Sequence, residues 1–213
     1  MHPNPVFRAE PAARHLDFAR ARAFGQLTLC APGTGPEEGP LAAHVPFLLD
    51  TEGTSAELHL MRSNPVARAL DAPRPALLTV TGPDGYVSPD WYGMDDQVPT
   101  WNYVAVHLRG TLEALPADAL RGVLDRLSDA MEARLDKRPW TTAKMSPGVM
   151  DRMMRSLLAC RLTVASVDGT WKLGQNKPDA ARLSAAGALV QEGAPGQERT
   201  ALAAWMRAAG DAG

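Results

Sequence analysis

Residues 98–115 read Val-Pro-Thr-Trp-Asn-Tyr-Val-Ala-Val-His-Leu-Arg-Gly-Thr-Leu-Glu-Ala-Leu. Val104, Val106, Leu108 and Leu112 fall on one face of an extended chain, and Tyr103, Ala105, His107, Arg109 and Thr111 on the other. Such alternation predicts a long antiparallel strand with one face in a core. The opposite face is too polar for a core and too aromatic at one end for plain solvent. Lining a ligand cleft or a subunit interface weighs about equally with plain exposure of Arg109.

Around this strand, Phe24 to Ala31, His44 to Asp50, Glu57 to Met61, Pro75 to Thr81, Tyr86 to Trp91 and Cys160 to Val167 are short, β-branched or alternating, and separated by Gly, Pro and Asp. They predict a closed or nearly closed antiparallel sheet. Gly82-Pro83-Asp84-Gly85 reads as a tight turn between two of these strands. Pro11 opens a helix over residues 11–23. Leu120, Val123, Leu124, Leu127 and Met131 recur at helical spacing, and so do Val149, Met150, Met153, Met154 and Leu157 after Ser146-Pro147, with the methionines as core filler. Two alanine-rich helices follow Pro178, broken at residues 193–196. The expected organisation is a barrel domain over 1–176 with inserted helices at 117–159, then a helical extension over 177–213.

At 213 residues and net charge −2, the chain can bury a sizeable core and has no overall charge to recruit nucleic acid or an anionic membrane. Cys30 and Cys160 read as buried thiols of a reducing compartment. The start at Met1-His2-Pro3-Asn4-Pro5 lacks a basic region followed by an apolar run, and no stretch approaches the roughly 18 apolar residues of a membrane span. The cytoplasm is the expected location. Unpaired histidines, solitary cysteines and the lack of an acidic cluster argue against a metal. No nucleophile elbow, Walker loop or dinucleotide fingerprint is present, and no catalytic residue is assigned. Gly33-Thr34-Gly35, beside Glu37 and Glu38, reads as a surface hairpin loop.

In a chain with four lysines and few aromatics, Trp101, Asn102 and Tyr103 are answered by Trp171-Lys172-Leu173-Gly174-Gln175-Asn176. Rings that stack, amides that read an edge and an ammonium that neutralises a phosphate suit a flat phosphorylated ligand. The competing reading is a Trp/Asn corner that closes a sheet. Pro46 removes a ladder donor and belongs at an edge or gap, with Val45, Phe47 and Leu49 inward and His44 outward. Asn64 and Pro65 start a helix beside Arg62 and Ser63, the best phosphate site in the sequence, against the plainer reading of an N-cap beside a surface arginine. Ser88 lies on the neighbouring rim, where it could bond a ligand.

These pieces, in order from Pro5-Val6-Phe7 through His44-Val45-Pro46-Phe47, His59 to Pro65, Gly82-Pro83 with Tyr86 to Ser88, Val98 to Tyr103 and Trp171 to Asn176, resemble the PaiB-type FMN-binding negative transcriptional regulators. The resemblance implies a mainly β fold with peripheral helices: an antiparallel split β-barrel similar to the pyridoxamine phosphate oxidase superfamily, working as a homodimer with FMN in the subunit groove. By position it makes Arg62, Ser63 and Lys172 candidates for the phosphate, and Pro46, Phe47, Trp101 and Gln175 for the isoalloxazine and ribityl surroundings. Asn64, Ser88 and Asn102 complete the expected cofactor-binding set. The chain departs from the family pattern at His2 (usually Tyr), Leu58 (often Gly), Ala67 (commonly Trp) and Gly174 (often Ser).

The resemblance also implies regulation through DNA, although Arg152, Arg155 and Arg161 are the nearest thing to a basic patch and no helix-turn-helix is evident. An FMN-dependent oxidoreductase, of flavin reductase or pyridoxamine phosphate oxidase-like type, is the alternative, with the flavin carrying the electron chemistry. A haem or small-molecule binding stress protein, with His107 as axial ligand, is third.

Overall fold

The computed structural model describes residues 1–30 and 39–210. Six strands, β1 (Phe24–Leu29), β2 (Leu41–Leu49), β3 (Ser55–Met61), β4 (Arg74–Val87), β5 (Thr100–Ala114) and β6 (Leu157–Lys172), close a barrel in the order β1-β2-β3-β6-β5-β4. The expected loop around Gly33 to Gly35 lies outside the described residues.

Alternation builds the barrel. In β5, Val104, Val106, Leu108 and Leu112 are buried while Trp101, Tyr103, His107 and Arg109 face outward. In β2 the buried set is Ala43, Val45, Phe47 and Leu49. The approach of β5 to β6 is close at Gly110, where a Cβ would meet the Thr163 carbonyl oxygen at 1.8 Å, so this strand position excludes any side chain.

Contacts divide the chain into two compact units. The larger comprises residues 16–80 and 107–167. It holds β1 to β3 and the adjoining parts of the other strands. Helix α1 (Ala12–Arg22) follows Pro11 and α2 (Pro65–Arg68) follows Asn64, and on the larger unit α3 (Ala119–Glu132) lays Leu120, Val123 and Leu127 against Ala159, Leu48 and Leu157. The smaller comprises residues 1–15, 81–106 and 168–213. In it α5 (Asp179–Glu192) packs on α6 (Arg199–Ala208) and on the turn at Pro89–Tyr92. The buried Arg182 ties the two helices together by donating to the Met206 and Arg207 carbonyls and to Asp179.

Three expectations are corrected. The turn expected at Gly82 to Gly85 is instead the interior of β4, where Gly82 and Pro83 are buried in succession. That slip of phase lets a Gly/Pro stretch continue the strand, with Gly85 packed under Leu202. The expected helix after Pro147 is short, α4 (Val149–Met154), with none of its residues buried and Leu157 already in β6. Met153 is 56% exposed and so is not core filler. Cys30 is exposed, because its β1 stretch ends at Leu29, whereas Cys160 is buried and its thiol is pushed up to about 12 by burial. Among the described residues no helix is long and apolar enough to cross a membrane, and no group of three or more His, Cys, Asp or Glu could hold a metal.

Candidate functional site

The smaller unit brings the two sequence segments singled out above into contact. Period two puts Thr100 and Asn102 on one side of β5 and Trp101 and Tyr103 on the other. The end of β6 divides likewise: Trp171 is fully buried, while Lys172 is half-buried and reaches Thr100, its Nζ donating to Oγ1 at 2.5 Å. The result is a pocket of about 250 Å³ whose functional lining is Thr100, Asn102, Lys172, Lys177, Tyr92 and Phe7.

Its electrostatics are one-sided. Burial lowers the Lys172 pKa, and its Nζ lies 5.9 Å from the centre of the Phe7 ring. Lys177 donates to Gln97 Oε1 and lies 5.4 Å from the Tyr92 ring centre. Neither ammonium has an ion-pair partner among the described residues, although Asp96 also lines the wall. Asn102 is 1% exposed, and among the described residues its Nδ2 meets no acceptor at full hydrogen-bond geometry, the Tyr92 phenol being its neighbour. Burial raises the Tyr92 phenol, opposed by the neighbouring Asn102. His2 titrates below its usual value through burial and the Lys172 charge. Its backbone N–H donates to Thr170 Oγ1, pinning the N-terminal segment to β6.

Trp171 is a structural residue rather than a ligand platform. Its indole N–H donates to His15 Nδ1 at 2.9 Å, its ring lies 4.9 Å from that of Trp205, and the Arg14 guanidinium sits 4.4 Å above it. Gln175 is equally committed: its Oε1 accepts from the Leu173 N–H, and its Nε2 donates to the Trp171 carbonyl and, at 3.4 Å, to that of Val6. Gly174 has φ +84, a left-handed conformation that glycine adopts without strain. Trp101 is 49% exposed on the opposite face from Asn102, and Ser88 precedes the Pro89 turn without a side-chain cap bond.

The larger unit gathers the other expected residues, since α2 (Pro65–Arg68) packs on both β2 and β3. Asn64 caps α2 as expected, its Oδ1 accepting from the Val66 N–H at 2.9 Å. That bond consumes one amide of a helix only four residues long, so little of the expected anion field remains. What remains is Arg62, exposed, with no side-chain partner among the described residues, and the exposed Ser63 beside it. Pro46 sits opposite Phe24 at the end of the β1–β2 ladder, where its missing N–H is not needed. The ring of Phe47 is fully buried in the barrel, so only its backbone can meet a ligand. Lys177 was not singled out by sequence reading, whereas Thr100 lay in the Val98 to Tyr103 segment and Tyr92 on the rim beside Ser88, neither with a role of its own. Lys177 carried the one usable signal, a second lysine five residues after Lys172 in a lysine-poor chain.

Residues 1–166 match the family described as “Putative FMN-binding domain”, and the chain belongs to it. It is 26% identical over 197 residues, 92% of each chain, to the protease synthase and sporulation protein PAI 2 of Bacillus subtilis strain 168. Among solved structures, the FAD and haem binding protein from Mycobacterium smegmatis superposes with a TM-score of 0.55 at 23% identity, over 78% of this chain and 73% of that one. A conserved hypothetical protein of Mycobacterium tuberculosis gives 0.54 at 15% identity, over 81% and 91%. The fold is the split β-barrel of flavin-binding proteins.

Proposed function

We propose that this FMN-binding protein acts as a flavin-dependent regulator of the PaiB type, and that the corner of β2, β3 and α2 carries the flavin. One observation supports the seat: the Arg62 guanidinium and the Ser63 hydroxyl, without side-chain partners among the described residues, stand beside the start of α2. A phosphate monoester supplies the charge and acceptors this pair lacks. The Pro46 to Leu48 backbone would border the ring system. Bound FMN would supply hydride or single-electron chemistry, and the chain would supply orientation and electrostatics. Arg62→Ala is expected to weaken FMN binding by about 1.5–3 kcal/mol, one to two decades in Kd, and riboflavin binding far less. Fluorescence titration with both flavins measures this, and equal losses would remove Arg62 from the phosphate.

A homodimer is part of the proposal. Met94, Val98 and Trp101 are large apolar side chains within eight positions, the latter two 72% and 49% exposed, of the kind a second copy covers. Sedimentation of the flavin-loaded protein at micromolar concentration tests it. Contact with DNA finds less support, since Arg161 is bonded to Glu57 and the net charge is −2. Gel shifts with random duplex at physiological salt should show little binding, and strong salt-sensitive binding would favour direct repression. The oxidoreductase reading has the Lys172 pocket in its favour, because a redox enzyme needs a seat for a substrate as well as for its flavin.

A further inference from the structure

We propose that the pocket lined by Lys172, Lys177, Asn102 and Thr100 is a binding site for a small molecule bearing a carboxylate or phosphate monoester, separate from the flavin. The resemblance assigned Lys172 to the flavin phosphate; the make-up of the pocket points to another occupant.

The first reason is charge. Two ammonium groups line one pocket and have, among the described residues, only neutral hydrogen-bond partners, Thr100 and Gln97. Asp96 offsets one of them, and burial and the Lys172 charge hold the His2 imidazole below its usual pKa. A net positive charge with most of its donors unused is left for an anion to complete. The second is Asn102, whose buried Nδ2 has the Tyr92 phenol near it but no acceptor at full hydrogen-bond geometry among the described residues. Buried amide donors are almost always satisfied, and one that lines a cavity marks where a ligand acceptor belongs. The third is shape. Phe7, Tyr92 and Val98 add apolar wall beyond what a bare ion needs. Yet a volume near 250 Å³ falls below the roughly 300–1,000 Å³ of pockets that enclose drug-sized ligands. A compact body with one anionic end fits both facts, and a whole flavin is too large to be enclosed by these residues alone.

Every lining residue belongs to the smaller unit, and the proposal uses none of the residues assigned to the flavin seat at Arg62. Flavin-loaded full-length protein is titrated by calorimetry with inorganic phosphate and, separately, with benzoate. Saturable binding of both is expected, benzoate the tighter because it also covers the apolar wall. Lys172→Met should weaken both probes roughly 10- to 100-fold, the loss of one charge-assisted contact. Lys177→Met should weaken them less. Neither substitution should change the ratio of FMN to riboflavin affinity. If Lys172→Met folds poorly, Lys172→Gln, which keeps a donor but no charge, serves as the second variant with the same expectation. Two results overturn the proposal: no saturable binding of either probe to the unaltered protein, or a selective loss of FMN over riboflavin in Lys172→Met, which would make Lys172 a flavin-phosphate residue. The flavin reading fails by a different observation, the lack of FMN binding by the unaltered protein.

Discussion

Glu57 and Lys172 show the fold treating charge in opposite ways. Glu57, on β3, accepts from Arg126 at 2.6 and 2.9 Å and from Arg161 at 3.1 Å. Burial alone would raise its carboxyl, but the hydrogen bonds from the two arginines outweigh burial and hold it below the usual range. Lys172 and Lys177, in the other unit, have among the described residues only a hydroxyl and a carboxamide to donate to. A charge matched by its own chain stabilises the native state. A charge left with neutral partners does little for stability and is available to something the chain does not contain.

The sharpest way to break this contrast lies within one strand. Trp171→Ala should cost about 3–5 kcal/mol, because it empties a fully buried site between His15 and Trp205. Its neighbour Lys172→Met should leave the denaturant midpoint unchanged or raise it slightly, since a half-buried, unpaired charge is replaced by an apolar chain of similar length. Chemical denaturation of both variants measures the pair. A loss above about 1 kcal/mol in Lys172→Met would make that lysine structural and erase the distinction.

A smaller effect is expected at the matched charge. Glu57→Ala strands two guanidiniums, but both stay about half exposed and water can take over part of their solvation. The expected loss is about 1–2 kcal/mol with flavin affinity unchanged. No loss would mean that the Glu57 cluster is as idle as a surface ion pair.

The smallest effect concerns His15, which accepts a hydrogen bond while neutral. Its pKa is lowered by burial first, opposed by Asp168 and Glu10 and assisted by Arg14. A histidine with a lower pKa folded than unfolded binds more protons when unfolded, so stability is intact above about 6.5 and falls as pH drops below it. His59, also lowered by burial, adds to the fall. Thermal midpoints between about pH 7.5 and 5 should therefore decline, and His15→Phe should flatten part of that decline. The lowered carboxylates Asp50 and Glu57 act only at more acidic pH, near and below about 4.5.

How far the sequence could be read depended on the range of the interaction involved. The buried face of β5, the helix over 119–132 and the Asn64 cap follow from residue spacing within a few positions, and all are present. The Gly82 to Gly85 stretch was misread because turn residues also serve where a strand slips phase under a helix, and Leu202 lies over a hundred residues away. Cys30 and Met153 were misread because apolar type is not burial.

At the site itself, the sequence alone determined that Val98 to Tyr103 and Trp171 to Asn176 hold uncommon chemistry, and the order of short motifs determined the family. Only the tertiary structure decided which of those side chains share a pocket. Alternation sends Trp101 and Trp171 to opposite fates and turns Thr100, Asn102 and Lys172 toward one another. It also recruits Lys177, Tyr92 and Phe7, which no local pattern links to them. The physical reason is that periodicity assigns each residue a face of its own element, whereas the partner of a buried donor or a lone ammonium is set by strand pairing and packing across most of the chain length.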